Sequence, residues 1–142
     1  MRRLVVDPNV LVSGIPSQAR PNPPGLVVEA IGDQVFEAVL CPRLLGELRK
    51  ALRKPYFRNR VEKAAADEVL AMLATAALML DDPGGIEPVL RDPDDDYLLA
   101  LAKEAGAEAI VTGDKDLLDH AGELEPKAIN AREACRMMGL SG

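Results

Sequence analysis

The sequence predicts an α/β protein in which a parallel sheet is covered by helices on both faces. Short apolar segments such as residues 4–6 and 109–112 alternate along the chain with longer segments of helical period, and this alternation is typical of parallel sheets. The chain has 142 residues, of which 48% are hydrophobic, so one compact domain over residues 1–142 is expected. Phe, Trp and Tyr together make up only 3%, which predicts a core of Leu, Val, Ala, Ile and Met.

Each predicted element follows from its hydrophobic pattern and from the residues at its ends. Strands are expected over residues 4–6, 34–40, 77–80, 109–112 and 127–130. Helices are expected over residues 26–31, 42–52, 61–73, 93–105, 116–118 and 131–139. The helix over 42–52 has a leucine stripe and begins with Pro42, which suits a first helical turn. The helix over 93–105 has Asp92 as a predicted N-cap and ends at Gly106.

The residue types present limit the chemistry. The one histidine, His120, lies in a predicted loop, so neither a His-rich zinc site nor a Ser-His-Asp triad is supported. Cys41 and Cys135 stand apart in apolar surroundings, which predicts reduced thiols and a cytoplasmic protein. No stretch reaches the roughly 18 apolar residues of a membrane span and none resembles a signal peptide, so no membrane association is expected. Any catalysis must therefore depend on carboxylates.

Two acids occupy matching positions after predicted strands. Asp7 directly follows residues 4–6, and Asp114 follows residues 109–111 by three positions. A single Asp after a strand is commonly a turn or cap residue. The carboxyl ends of parallel strands, however, meet at the edge of the sheet where ligands bind in open α/β folds. Two acids in this context therefore indicate a site at that edge.

Four acids surround the start of the helix over 93–105, namely Asp92, Asp94, Asp95 and Asp96. Asp is favoured at a helix N-terminus, where it caps free N–H groups, but four exceed what capping requires. With a rotation of about 100° per residue, Asp94 and Asp95 flank the apolar stripe of the helix. Asp96 is expected to point nearly opposite, toward solvent. The geometry leaves Asp94 or Asp95 as the inward acid.

Two further acids can be either structural or functional. Glu47 lies at the border of the leucine stripe of the helix over 42–52, and Asp116 can cap the short helix or act as an outer ligand. Two carboxylates about 4 Å apart repel by roughly 4 kcal/mol at an effective dielectric constant near 20. A cluster of these acids would therefore require a cation or bound protons. Oxygen ligands alone suit Mg²⁺ or Mn²⁺.

The charge of the chain is unevenly distributed. The net charge of −6 argues against a nucleic-acid partner, because phosphate binding favours a basic surface. Residues 49–63, in contrast, contain seven Lys and Arg against one Glu. This segment is either a solvated helix face followed by a loop, or a rim that faces phosphate groups.

The chain resembles the PIN-domain nucleases in four segments that occur in the family's order: LVVDPNVLVSG, LLGELRKALRKPYF, RDPDDDYLLALAKEAGA and IVTGDKDLL. The likeness extends from about residue 4 to residue 135 and is greatest for toxin components of toxin–antitoxin systems, related to VapC-like toxins. It implies a three-layer α/β/α fold with a central parallel sheet, and hydrolysis of RNA with Mg²⁺ or Mn²⁺. It also implies products with a 5′-phosphate, a partner antitoxin and a homodimer.

By position, the resemblance assigns the catalytic and metal-binding acids as Asp7, Glu47, Asp95 and Asp114, with Asp116 as a further ligand. Asp95 stands eleven residues before Gly106, where the family places its third acid. Thr112 would hold the turn that follows the strand, and Asn9 would be a hydrogen-bonding group behind the first acid. Pro8 departs from the family pattern, because a small hydroxyl residue is usual there. It removes a backbone N–H and a hydroxyl beside the first acid.

The resulting hypothesis is a ribonuclease in which the acids hold one or two cations and an activated water attacks the phosphorus. The basic residues expected to contact the RNA backbone are Arg49, Lys50, Arg53 and Lys54. Two alternatives remain. A PIN-like module could bind RNA or protein without cleaving it, which Pro8 and the negative net charge favour. A phosphatase of the haloacid-dehalogenase type also has an Asp after the first strand, but it needs a second Asp where this chain has Asn9, and a Lys that only Lys103 or Lys115 could supply.

Overall fold

Five parallel strands form the centre of the structure, in the spatial order β3–β2–β1–β4–β5. The computed structural model describes residues 1–15, 22–86, 88, 90 and 93–140, without the side chains of Pro93 and Asp94. The strands are β1 (Arg3–Val6), β2 (Glu37–Leu40), β3 (Leu78–Met79), β4 (Ala109–Val111) and β5 (Lys127–Ile129). In β1, Leu4 pairs with Ala38 on one side and with Ala109 on the other.

Eight α-helices connect these strands within the described part of the chain. They are α1 (Pro8–Ser13), α2 (Pro23–Gly32), α3 (Pro42–Leu52), α4 (Pro55–Arg58), α5 (Lys63–Ala76), α6 (Pro93–Ala105), α7 (Lys115–Asp119) and α8 (Ala131–Met138). Five of them begin with proline, a residue that the first helical position tolerates because its amide has no intrahelical partner. The predicted cap Asp92 lies outside the described residues.

The helices cover both faces of the sheet. Successive side chains of a strand point to opposite faces, yet Leu4, Val5 and Val6 are all fully buried. Helix α6 packs over β1, β2 and β4, while α1 contacts α2 and α3, and α2 contacts α8. This is the three-layer α/β/α arrangement expected of an all-parallel sheet, and it confirms the predicted fold class.

The core differs from the predicted composition in one respect. None of the five methionines is fully buried, whereas Phe36 and Tyr97 are the largest fully buried side chains. The predicted contribution of methionine is confirmed only at the margin of the core, where Met72, Met137 and Met138 pack partly buried, and two of the few aromatic residues fill its centre. The leucine stripe of α3 is confirmed in part, because Leu44 and Leu48 are fully buried while Leu45 and Leu52 are partly exposed.

Element boundaries agree closely at α3 and less well elsewhere. Strand β2 begins at Glu37 and not at Gln34, because Gln34 has a φ of 56°, and the amide of Val35 still bonds to the Ala30 carbonyl at 2.9 Å. The segment after α3, predicted as a loop, contains the single turn α4. In the part of the chain that the structure describes, no helix is both long and apolar enough to cross a membrane.

Candidate active site at the carboxyl edge of the sheet

The carboxyl ends of the central strands place polar residues side by side. Asp7 directly follows β1 and Thr112 directly follows β4. The two strands stay paired up to this point, because the Asp7 amide donates to the Val111 carbonyl at 2.8 Å. The structure therefore brings the ends of β1 and β4 side by side, at the edge of the sheet where the sequence predicts a site.

The Thr112 hydroxyl joins the first and fourth predicted acids. Its Oγ1 donates to Asp7 Oδ2 at 2.8 Å and accepts the Asp114 amide at 3.0 Å. Asp114 Oδ1 in turn accepts the Asp116 amide at 2.8 Å and caps α7. Thr112 thus holds the turn after β4, as predicted, and it also fixes the direction of the Asp7 carboxylate.

Asp7 is a buried acid whose environment favours its protonated form. Its side chain is 6% exposed. Burial raises the pKa of Asp7 above its ordinary value and the nearby Asp114 charge raises it further, while the hydrogen bonds from the Asn9 amide and Thr112 lower it. A cation bound at Asp7 would favour the ionised carboxylate and remove this penalty.

Asp7 is also the N-cap of α1, since its Oδ1 accepts the Asn9 amide at 2.9 Å. Asn9 therefore contacts Asp7 through its backbone, while the residue itself is exposed. Pro8 occupies the first helical position, where an N–H would have no helical partner. The missing N–H of Pro8 therefore removes no hydrogen bond from the helix. The position differs from the family pattern only in lacking a side-chain hydroxyl.

Helix α3 brings Glu47 and Arg43 to the same edge. Both are half-buried, and Arg43 lies with its guanidinium carbon 4.1 Å from the centre of the Tyr97 ring. Burial raises the pKa of the Tyr97 phenol, and the negative charges of Glu47 and Asp7 raise it further. The contact with Arg43 shows that the Tyr97 ring packs against α3.

Cys41 directly follows β2 at this edge, and it takes no part as a nucleophile. Burial raises its pKa to about 11, with a further contribution from Asp82, so the thiol stays protonated at neutral pH. Cys41 and Cys135 are both buried free thiols, as predicted.

The acids of α6 differ from the prediction. Asp95 is 7% exposed, which agrees with an inward position. Asp96 is 5% exposed, so the prediction that it faces solvent is wrong. The amide of Leu90 donates to Asp96 Oδ1 at 2.8 Å, so a residue that precedes α6 contacts this side chain. Asp96 therefore has a structural role in holding Leu90, and the side chain of Asp94 lies outside what the structure describes.

The predicted acids come together in part. Asp7 and Asp114 are neighbours through Thr112, Glu47 faces the same edge from α3, and Asp116 is half-buried beside Asp114. Among the described side chains, no group of three His, Cys, Asp or Glu is close enough to hold a metal ion. The donor chemistry, carboxylate oxygen alone around a buried Asp7, nevertheless fits Mg²⁺ or Mn²⁺.

The predicted basic residues divide between two faces of α3. Arg49 and Arg53 line a groove of about 480 Å³ against α5, together with Arg58 and Lys63. Lys50 lies three positions after Glu47 within α3, and the helical rotation of about 100° per residue puts these two residues on one face. Lys54 lies beyond the last residue of α3, at the N-cap of α4. Of the four predicted basic residues, Lys50 is therefore the one that α3 places on the face of Glu47.

Sequence reasoning missed Tyr97 and Arg43. Tyr97 follows the acidic run directly and is flanked by leucines, so its pattern is that of an ordinary core residue. Arg43 is one of several cations on α3. Their contact joins two helices that are about 50 residues apart in sequence, and no local pattern reports such a pair.

The α/β/α fold and the acids at the carboxyl edge of its parallel sheet together define the class of protein: an open α/β fold whose candidate site is built from carboxylates. The family comparison identifies the class: residues 3–116 match the model of the PIN domain, and the chain belongs to this family. PIN domains are typically nucleases.

A comparison with solved structures supports the same fold. The structure is similar to the crystal structure of PAE2754 from Pyrobaculum aerophilum, with a TM-score of 0.63 and 18% sequence identity. The match covers 98% of this chain and 90% of that one. The comparison with curated proteins found no match.

Proposed function

We propose that this PIN domain is a ribonuclease that hydrolyses RNA phosphodiester bonds with the help of Mg²⁺ or Mn²⁺. The observation that carries the proposal is the hydrogen-bonded chain from Asp7 through Thr112 to Asp114 at the carboxyl edge of the sheet. In a PIN domain, this chain holds the buried carboxylate of Asp7 near the half-buried Asp114, whose charge acts on it.

The acids that would hold the cation are Asp7, Glu47, Asp95 and Asp114, with Asp116 beside them. When bound, the cation would supply an activated water and would stabilise the charge that develops at the phosphodiester. All the other contributions come from the chain itself. Thr112 donates a hydrogen bond to the Asp7 carboxylate and accepts one from the Asp114 amide, while the Asp114 carboxylate accepts one from the Asp116 amide. Neither carboxylate can therefore turn without breaking a hydrogen bond.

Each oxygen of Asp7 keeps acceptor capacity for a ligand. Oδ1 accepts one bond from the Asn9 amide and Oδ2 accepts one from Thr112, and a carboxylate oxygen has two acceptor positions. The two bonds therefore orient the carboxylate without saturating it. Lys50, on the face of Glu47, and Lys54, just beyond the end of α3, are the cations expected to hold the RNA backbone beside the acids.

The test is a cleavage assay with mixed RNA and DNA oligonucleotides in Mn²⁺, Mg²⁺ or EDTA. Outer-shell substitutions at metal sites cost about 10- to 100-fold in activity or affinity, so Asp7→Asn, which alters a direct ligand, should reduce RNA cleavage by about a hundredfold or more. Asp119→Asn, at an exposed acid on α7, is the matched control and should cleave as the wild type does. Full activity of Asp7→Asn, or cleavage in EDTA, would contradict the proposal.

The toxin role, an antitoxin partner and a homodimer are further proposals that rest on the resemblance of the four motif segments. Induced expression should arrest growth if the protein is a toxin, and Asp7→Asn should relieve the arrest. Normal growth at high levels of the wild-type protein would contradict the toxin role.

A second candidate function is RNA or protein binding without cleavage. It is favoured by the finding that no three acids of the described residues lie at metal-holding distance. Calorimetric titration with Mn²⁺ separates the two functions. A ribonuclease would bind Mn²⁺, and Asp7→Asn would abolish this binding, whereas a non-catalytic module would show no such binding. No observation of the structure favours the haloacid-dehalogenase alternative, since Asn9 stands where that class needs an Asp.

A further inference from the structure

The groove between α3 and α5 is lined by one face of each helix. Its α5 side is formed by Lys63, Ala66, Asp67 and Leu70, whose spacing of three and four positions puts them on one face of the helix. The last turn of α3 forms the opposite side. The volume of about 480 Å³ lies within the range of about 300–1,000 Å³ that is usual for binding pockets.

The deeper part of this groove, its floor, is apolar. Leu52, Val61 and Leu70 are partly buried there, and Ala66 is buried. The three larger side chains therefore keep apolar surface in contact with water. Apolar surface within a polar rim is typical of sites at which another protein binds.

The rim of the groove is positively charged. It consists of the exposed side chains of Arg49, Arg53, Arg58 and Lys63, with Asp67 as the one acid among the described lining residues. The ion pairs found in the described part of the chain include none of these four cations. The chain as a whole carries a net charge of −6, so the rim is a local reversal of sign that favours an acidic ligand.

RNA would match the rim of this groove and not its floor. Phosphate groups would pair with the arginines but would cover the leucines with charge, and the described lining residues include no aromatic ring on which a base could stack. Arg49 stands two positions after Glu47 on α3, and this rotation of about 200° turns it away from the acids. The ligand of the groove is therefore a different molecule from the substrate.

We propose that the groove between α3 and α5 binds an acidic amphipathic helix of a partner protein. Apolar side chains on one face of such a helix would cover the floor, while Glu or Asp beside them would pair with the arginines of the rim. An amphipathic helix laid in a groove is a recurrent mode of peptide recognition. The inference goes beyond the proposed function and does not depend on RNA cleavage.

The probe is a fluorescent peptide of about 15 residues, long enough to form a helix when it binds. Its leucines follow the i, i+3, i+4, i+7 pattern of an amphipathic helix, and its other positions are Glu and Ala. Two control peptides have the same length: in one each Glu is replaced by Lys, and in the other each Leu is replaced by Ser. Fluorescence anisotropy measures the Kd of each peptide.

The protein variants compare Arg49→Glu/Arg53→Glu with the matched control Arg132→Glu/Arg136→Glu. Each pair consists of two exposed arginines four positions apart, so both double variants change the net charge by the same amount. The first pair lines the groove, whereas the second lies at α8. Circular dichroism and urea unfolding establish that both variants are folded.

We expect Arg49→Glu/Arg53→Glu to weaken binding of the acidic amphipathic peptide by about tenfold or more, because two attractive charges become repulsive. Arg132→Glu/Arg136→Glu should keep the Kd of the wild type. Binding by the wild type should weaken as the salt concentration rises. Each control peptide should bind about tenfold or more weakly, because it lacks one of the two matching features.

Equal Kd values for the two arginine variants would overturn the inference. So would the absence of peptide binding by the wild type at about 1 mM, or equal binding of the peptide in which Ser replaces Leu. An oligoribonucleotide whose binding is weakened by Arg49→Glu/Arg53→Glu and not by the control variant would assign the groove to RNA instead. A wild-type dimer that only this variant dissociates, measured by sedimentation, would assign it to a second copy of the chain. Metal-dependent cleavage is tested separately by Asp7→Asn, so the proposed function can stand or fall without this inference.

Discussion

At the scale of single residues, Thr112 has the largest number of consequences for the candidate site. Its hydroxyl is fully buried and uses both its donor and an acceptor position, on Asp7 and on the Asp114 amide. Because a hydroxyl can donate only one hydrogen, this arrangement requires Asp7 to be the acceptor. Thr112 therefore sets the hydrogen-bonding role of the Asp7 carboxylate in addition to its position.

Asp7 is expected to destabilise the metal-free protein at neutral pH. Burial raises its pKa in the folded state, so the folded protein binds a proton at Asp7 more readily than the unfolded chain does. This favours the folded state at low pH, and the advantage is lost as the pH rises from the ordinary value of 3.8 through the folded pKa. Asp7→Asn removes the buried charge and keeps an acceptor for the Asn9 amide.

We predict that chelator-treated Asp7→Asn has a higher free energy of unfolding than the wild type at pH 7. The difference should shrink as the pH falls toward 4, which urea unfolding between pH 4 and pH 8 will measure. Mn²⁺ should stabilise the wild type alone and so reduce the difference. A difference that does not change with pH would show that the buried charge is not its cause.

The sequence predicted the positions of residues at strand ends well. It predicted less well the burial of residues that contact distant segments of the chain. Asp7 and Asp114 lie where the strand pattern puts them. Asp96 was predicted incorrectly because a helical period describes one helix, whereas the burial of Asp96 depends on the connector at Leu90. Tyr97 was missed because its significance lies in α3 contacts that local sequence does not encode.

At the scale of elements, the packing of α1 on α2 depends on Gly14. A Cβ atom at Gly14 would overlap the Pro24 carbonyl oxygen and would lie 2.5 Å from Val28 Cγ2. Both obstacles belong to α2, and one of them is backbone, so relief requires the two helices to separate. Since Asp7 caps α1, this contact also supports the site.

We predict that Gly14→Ala lowers the free energy of unfolding by about 1–3 kcal/mol, the usual cost of overpacking. Gly46→Ala is the control, because Gly46 lies inside α3 and a Cβ there meets nothing within 4 Å. It should raise the free energy of unfolding by about 0.5–1 kcal/mol, as alanine does in a helix interior. Urea unfolding measures the free energy of unfolding of both variants. A change in the same direction for both would contradict the packing explanation.

Elements were predicted best where local chemistry marks their ends. Helix α3 matches its predicted bounds because Pro42 fixes its start and the leucine period continues to Leu52. Strand β2 was predicted too long because the segment over residues 34–40 is as apolar as a strand overall, while the amides of Gln34 and Val35 bond to the end of α2. Such a competition between two sets of backbone partners is decided by tertiary structure.

At the scale of the whole molecule, the distribution of charge decides how an acidic protein can bind RNA. The chain carries −6 overall, and its basic segment is divided between the face of Glu47 and the groove on α5. An RNA bound at the candidate site would contact the basic residues near Glu47 and not those that line the groove on α5. Charge alone would not distinguish these residues, whereas their direction on α3 does.

We predict that Lys50→Ala/Lys54→Ala weakens oligoribonucleotide binding and reduces the salt dependence of log Kd by roughly one to two, as expected for lost phosphate contacts. Arg49→Ala/Arg53→Ala removes the same charge from the positions directly before these lysines and should leave both quantities unchanged. Fluorescence anisotropy at several salt concentrations measures them. A larger effect of the arginine pair would place the RNA in the groove instead.

The fold class was predictable from the alternation of strands and helices, but the order of the strands was not. Periodicity identifies β1 and β4 separately, and their pairing brings together residues more than 100 positions apart. The proximity of Asp7 and Asp114 depends on that pairing.

The same strand order has a consequence for the nascent chain. The central strand β1 lies between β2, which ends at Leu40, and β4, which begins at Ala109. At a synthesis rate of about 5–20 residues per second, roughly 4–14 s separate the production of these two neighbours. During that interval one edge of β1 offers unpaired backbone groups and apolar side chains to other nascent chains. Productive synthesis therefore depends on shielding of that edge, by a chaperone or by the early helices, until residues 109–111 leave the ribosome.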